Sequence, residues 1–70
     1  MEYTIKFWED DEMRELGESS IHTSKENKGE AIEEARRLFN RQDYPAVEVD
    51  DEEGNCIFHI SFDAPDGEEY

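Results

Sequence analysis

The sequence has little positive charge, and none at all in its last part. There is no lysine or arginine between residues 42 and 70, where ten acidic residues lie. The whole chain of 70 residues has 7 basic and 21 acidic residues, a net charge of −14 at pH 7. Such a surface repels nucleic acid and anionic membranes. We therefore expect no direct binding to either.

Cysteine and long apolar segments are scarce as well. The only cysteine, Cys56, cannot form a disulfide within the chain, which fits a reducing compartment. No segment approaches the roughly 20 apolar residues of a membrane-spanning helix. The first residues, MEYTIKFWEDDE, lack the basic and apolar regions of a signal peptide. We expect a soluble protein of the cytoplasm, namely the host cytoplasm if a phage encodes it.

Catalytic motifs are missing from the chain. It has no Ser/His/Asp arrangement and no glycine-rich phosphate loop. Paired carboxylates can act as acid and base, but they need a pocket that separates their pKa values. A small domain with one helix on one sheet has little room for such a pocket. We therefore expect no enzymatic activity and no cofactor.

Two groups of residues invite a metal-site interpretation. Cys56 and His59 have the spacing Cys-x-x-His, with His22 elsewhere, but residues three apart on a strand point to opposite faces. A structural zinc site needs about four ligands. The loop DDEEGN, residues 50–55, lacks the spacing and terminal glutamate of a helix-loop-helix calcium site. We predict no metal site, and a buried apolar role for Cys56.

Alternation of apolar and polar residues predicts four strands. They are Tyr3–Trp8, a weaker strand at 19–23, Ala46–Asp50, and 56–62. The last two are joined by a hairpin loop in which Gly54 supplies the positive φ of the turn. Residues 9–18 form either one helical turn that ends at Gly17 or a long hairpin loop.

One helix is predicted between the two hairpins. Asn27 followed by Glu30 has the spacing of a capping box, and Tyr44-Pro45 ends the helix. Its apolar stripe is Ala31, Ile32, Ala35, Leu38 and Phe39. The predicted fold is α+β, a single domain of residues 1–63 with the order ββαββ and a mostly antiparallel four-stranded sheet. Residues 64–70 are predicted to be an acidic flexible tail.

The two faces of this sheet have different predicted roles. The residues expected against the helix on the last two strands are Val47, Val49, Cys56, Phe58, Ile60 and Phe62. The residues expected on the open face are Thr4, Lys6, Trp8, Glu48, Asp50, Ile57, His59 and Ser61. Trp8 on that face is a candidate aromatic anchor for a partner, since aromatic residues inside a polar rim often dominate binding.

The acidic residues are concentrated outside the helix. Residues 25–41 have five basic and four acidic residues, a net charge of +1, whereas the rest of the chain has a net charge of −15. On a strand, Glu48, Asp50 and Glu52 would stand about 6.6–7 Å apart, a row of carboxylates that a phosphate-binding groove could accept. The residues predicted to contact a partner are Glu48, Asp50, Asp51, Glu52, Glu53, Asp63, Glu9, Asp10, Asp11 and Glu12.

In size, acidity and lack of catalytic motifs, the chain resembles the small DNA-mimic inhibitors of phages and mobile elements, which include anti-CRISPR and anti-restriction proteins. The resemblance covers the whole chain but concerns composition, so it carries over no functional residue. It implies an inhibitor that binds the DNA- or RNA-binding groove of a basic partner, with a bacterial CRISPR or restriction effector as the first candidate. The sequence does not fix the oligomeric state, for which we favour a monomer.

A second interpretation is a housekeeping or structural protein of a bacterium or archaeon whose acidity serves solubility. The segment TSKENKGEAIEEARRLF, residues 23–39, also resembles small bacterial proteins with a strand-helix-strand core. That resemblance implies nothing about activity. The two interpretations differ in whether the acidic surface has a basic partner.

Overall fold

Seven elements of regular structure follow one another along the chain. The computed structural model describes residues 1–42 and 44–70. The elements are β1 (Tyr3–Trp8), α1 (Asp11–Leu16), β2 (Ser20–Lys25), α2 (Lys28–Gln42), β3 (Ala46–Asp50), β4 (Cys56–Ser61) and β5 (Ala64–Glu69). The predicted bounds of the first and third strands are confirmed.

The strands form one sheet of five, in the order β2-β1-β3-β4-β5, and all neighbours are antiparallel. The class α+β is confirmed, but the prediction of four strands in the order ββαββ is wrong. The fifth strand, β5, comes from the segment for which a flexible tail was expected. The short helix α1 is a further addition to that order.

Gly67 explains how a segment without apolar alternation joins the sheet. Its φ is +82°, and a Cβ added there would lie only 2.6 Å from Cζ of Phe58. The Arg36 guanidinium lies 5.0 Å from the centre of the same ring, and its Nη1 donates a hydrogen bond to the carbonyl of Asp66. β5 is therefore held by backbone pairing and by close approach to Phe58, neither of which leaves a period-two pattern.

Both ends of α1 and the start of α2 have identifiable caps. The Asp10 carboxylate accepts a hydrogen bond from the Met13 N–H at 2.8 Å, and Gly17, with φ +72°, ends α1. Of the two interpretations of residues 9–18, the helical turn is therefore correct. The Asn27 side chain accepts a hydrogen bond from the Glu30 N–H at 3.1 Å, as the predicted cap requires.

The core lies between α2 and one face of the sheet. The predicted helical stripe is buried there. The buried core cluster is Ile5, Ala31, Ile32, Ala35, Leu38, Phe39, Val47, Val49, Phe58 and Ile60. The radius of gyration is 10.9 Å, as expected for a compact chain of this length.

A β-bulge between β3 and β4 changes which side chains share a face. Val49 pairs with Phe58, but the next residue of β3, Asp50, pairs with Cys56, which leaves Ile57 as the extra residue. Cross-strand partners lie on the same face, so Cys56 lies beside Asp50 and away from α2. Ile57 instead packs partly against the core. The predictions of a core position for Cys56 and an open-face position for Ile57 are therefore wrong.

Phe62 also departs from its predicted core position. β4 ends one residue earlier, at Ser61, and Phe62 is 61% exposed. Its ring still contacts Phe39, with 5.6 Å between the ring centres. Phe62 therefore covers the margin of the core instead of filling it.

Candidate functional site

The face of the sheet opposite α2 brings together charged side chains from three strands. Glu48 pairs with Lys6 of β1 and His59 of β4, while Asp50 pairs with Cys56. Because of the bulge, Cys56 and His59 lie on the same face, contrary to the prediction from their spacing. We call Lys6, Glu48, Asp50 and Cys56 the open-face cluster.

Asp50 is the buried member of this cluster, with 4% exposure. Its Oδ2 forms a salt bridge with Nζ of Lys6 at 2.7 Å. Burial opposes ionisation of Asp50, but the hydrogen bond from Glu48 and the Lys6 ammonium outweigh it and hold the pKa of Asp50 below its usual value. The hydrogen bond to Asp50 raises the pKa of Lys6. This ion pair is therefore part of the folded sheet.

Glu48 has an unusual protonation equilibrium for a carboxyl group. Burial, then the hydrogen bond and negative charge of Asp50, raise the pKa of Glu48 to about 7, against the opposing charge of Lys6. Burial and Asp50 therefore favour the protonated form of Glu48, which can donate a hydrogen bond to Asp50. Lys6 balances the charge of Asp50, so the centre of the predicted row of carboxylates has less net charge than its end in the hairpin loop.

Cys56 completes the cluster from β4. Burial and the neighbouring Glu48 carboxylate raise the pKa of the Cys56 thiol to about 11. The thiol donates a hydrogen bond to the carbonyl of Phe58 at 3.4 Å. One ligand atom from each of Glu48, Asp50 and Cys56 lies within 4.8 Å of the other two, so these three residues could hold a metal ion.

His59 lies on the open face, opposite Glu48. Burial lowers the pKa of the His59 imidazole and the positive charge of Arg14 lowers it further, against the negative charges of Glu68 and Asp63.

The other predicted contact residues lie in loops at the two ends of the sheet. At the end where β3 leads into β4 stand Asp51, Glu52 and Glu53, which we call the hairpin acids. Asp51 Oδ1 accepts hydrogen bonds from the N–H groups of Glu53 and Asn55, each at 2.9 Å, and so shapes the loop. Glu52 accepts a hydrogen bond from the Glu2 N–H. Glu53 and Glu52 are exposed.

At the opposite end stand Glu9, Asp10, Asp11, Glu12 and Asp63, which we call the α1 acids. All five are exposed. Asp10 caps α1, and Asp63 lies in the turn between β4 and β5. Strands of this length separate the two groups by roughly 17–20 Å. Among residues 1–42 and 44–70, none of the α1 acids or hairpin acids forms a salt bridge within 4.0 Å.

Trp8 lies on the open face, where its cross-strand partner is Ala46. Its side chain is half-buried, and its Nε1 is buried without a hydrogen-bond partner among the described residues. The placement agrees with the prediction of an open-face aromatic residue. Its role as an anchor for a partner stays a prediction.

Lys6 and Cys56 belong to the open-face cluster, but neither was among the residues predicted from the sequence to contact a partner. Lys6 carried a usable signal, because it is the only cation on a strand whose alternation places it on the face of Glu48 and Asp50. Cys56 carried none, because its position depends on the bulge.

No protein-family model, curated protein or solved structure matches this chain. Among the described residues, no helix has both the length and the apolar character needed to cross a membrane.

Proposed function

We propose that this protein is a non-enzymatic inhibitor that mimics nucleic acid. It binds the basic DNA- or RNA-binding groove of a CRISPR or restriction effector in the cytoplasm of the bacterial host. The observation that supports this proposal is the pair of acidic groups at the two ends of one sheet, all exposed except the half-buried Asp51, with no salt bridge to them among the described residues.

The density of charge is close to that of DNA. A net charge of −14 is spread over a longest dimension of 31 Å, about one charge per 2.2 Å. Duplex DNA carries one charge per about 1.7 Å of its axis. A groove that neutralises a short duplex therefore meets a similar charge on this protein.

The charge is also one-sided. α2 has four basic and three acidic residues, a net charge of +1, whereas the rest of the chain has three basic and eighteen acidic residues, a net charge of −15. The helical layer is thus nearly neutral, and a basic partner would be attracted to the loops and edges of the sheet. Long-range attraction of this kind speeds association and is weakened by salt.

The α1 acids and the hairpin acids contribute most to the attraction of a basic partner. Lys6 neutralises the charge of Asp50, whereas Glu12 and Glu53 are exposed. Arg in the partner can bind such carboxylates with two hydrogen bonds, as it binds phosphate. The contact therefore forms at both ends of the sheet at once.

A competition assay with matched variants tests the proposal. A labelled DNA duplex is bound to a guide-loaded CRISPR effector or to one of several restriction endonucleases, and the protein is added at 50 and 200 mM salt. We expect displacement of the duplex by at least one effector of the panel. The affinity of the protein for that effector, measured directly without DNA, should fall about tenfold or more between the two salt concentrations.

Two double variants remove the same number of charges from different places, so they test whether the position of the charge matters. Glu12→Gln with Glu53→Gln removes two charges from the ends of the sheet, and Glu30→Gln with Glu33→Gln removes two from the exposed side of α2. We expect the first pair to weaken displacement at least threefold more than the second. Equal effects of both pairs, or a duplex that stays bound to every effector, would contradict the proposal.

A further inference from the structure

We propose that Glu48, Asp50 and Cys56 form a binding site for one Zn²⁺ ion on the open face of the sheet. The inference does not rest on the inhibitor function. It rests on the ligand geometry, on an unpartnered buried oxygen of Asp50, and on the charge of the cluster.

The ligand atoms are close enough to share one ion. One atom from each of the three residues lies within 4.8 Å of the others. Bond lengths of about 2.0–2.3 Å to oxygen and sulfur place neighbouring ligands of a tetrahedral zinc ion roughly 3.5 Å apart. Side-chain rotations that move these atoms by about 1 Å would close the site. A water molecule can take the fourth position, as in other zinc sites with three protein ligands.

Asp50 has an oxygen available for the ion. Its side chain is 6% exposed, and its Oδ2 is bound to Lys6. Its Oδ1 is buried, and it has no hydrogen-bond partner among the described residues when Glu48 is ionised. A buried carboxylate oxygen without a partner is costly. Because the two oxygens are distinct, Asp50 can bind an ion through Oδ1 and keep its salt bridge to Lys6.

The charge of the cluster selects a divalent ion that accepts sulfur. Two carboxylates and a thiolate carry three negative charges, and Lys6 compensates one, which leaves −2 for the ion to balance. Mg²⁺ and Ca²⁺ prefer oxygen ligands only, whereas zinc binds both carboxylate and thiolate.

Calorimetric titration of the full chain with zinc chloride tests the site. We expect one ion per chain and micromolar or tighter affinity. Cys56→Ser and Glu48→Gln should each weaken binding at least tenfold. The control Glu52→Gln with Glu53→Gln, in exposed loop positions, should leave it unchanged. Absence of stoichiometric binding, or equal weakening by the control, would overturn the proposal.

A second measurement needs no variant. The rate at which iodoacetamide alkylates Cys56 is followed with and without one equivalent of zinc. We expect at least a fivefold slower reaction with zinc, reversed by a chelator. An unchanged rate at saturating zinc would contradict a bond between the ion and Cys56.

Discussion

At the scale of single residues, Glu48 links the folded sheet to the acidity of the solution. It lies between Lys6 and His59 in the register of the central strands, and its carboxyl group contacts Asp50. Burial raises its pKa to about 7, from the usual value of 4.5. Between pH 4.5 and about pH 7, Glu48 of the folded protein therefore keeps a proton that the unfolded chain releases.

The stability of the metal-free protein should reflect this proton. Because the native state binds more protons between pH 5 and pH 8, the contribution of Glu48 to the free energy of unfolding falls as pH rises. After allowance for the partial exposure of the side chain, we expect a loss of about 1 kcal/mol.

Chemical denaturation with a chelator present measures this effect. Glu48→Gln keeps a donor for Asp50 and removes the titration, so we expect stability close to that of the unaltered protein at pH 5 and higher stability at pH 8. The control Glu53→Gln should keep the original slope. If Glu48→Gln shows the same pH dependence as the unaltered protein, Glu48 does not hold a proton in the native state.

At the scale of elements, β5 depends on one glycine. Gly67 and Gly17 both have positive φ, but an added Cβ would meet the Phe58 ring only at Gly67 and has nothing within 4 Å at Gly17. A side chain at Gly17 therefore introduces backbone strain alone, whereas a side chain at Gly67 introduces backbone strain and a steric clash.

Replacement of each glycine by alanine should have unequal effects. Gly17→Ala should cost about 1–2 kcal/mol through its backbone conformation alone. Gly67→Ala should cost a further 1–3 kcal/mol, because the methyl group displaces Phe58 from the core. Urea denaturation of both variants measures the difference. Equal losses would show that β5 does not approach Phe58 as closely as the structure indicates.

The elements also show which features a sequence can predict. The stripe on α2 and the strands β1 and β3 follow the periods of helices and strands, so they were predictable. β5 was not, because its contacts use backbone atoms and a glycine. The bulge was not predictable either. Its extra residue, Ile57, is apolar like Cys56 and Phe58 on either side of it, so the sequence does not mark it as the extra one. That single residue moves Cys56 from the predicted core to the candidate site.

At the scale of the whole molecule, the excess negative charge lies outside α2, the helix that covers the core. α2 is nearly neutral, and the sheet, loops and edges carry a net charge of −15. The asymmetry was predictable, because it depends only on where acidic residues fall along the chain. The neutralisation of Asp50 by Lys6 was predictable only in part, because alternation places both residues on one face but the register of β1 against β3 brings them into contact. The proposed contact is therefore made by the α1 acids and the hairpin acids.

The most direct test of the inhibitor function is whether a partner can bind DNA and this protein together. An effector that the competition assay identifies is mixed at 50 mM salt with equimolar labelled duplex and labelled protein, and the complexes are resolved by sedimentation velocity. We expect two separate complexes, one with duplex and one with protein, and no particle that carries both labels. A stable ternary complex of effector, duplex and protein would contradict nucleic-acid mimicry.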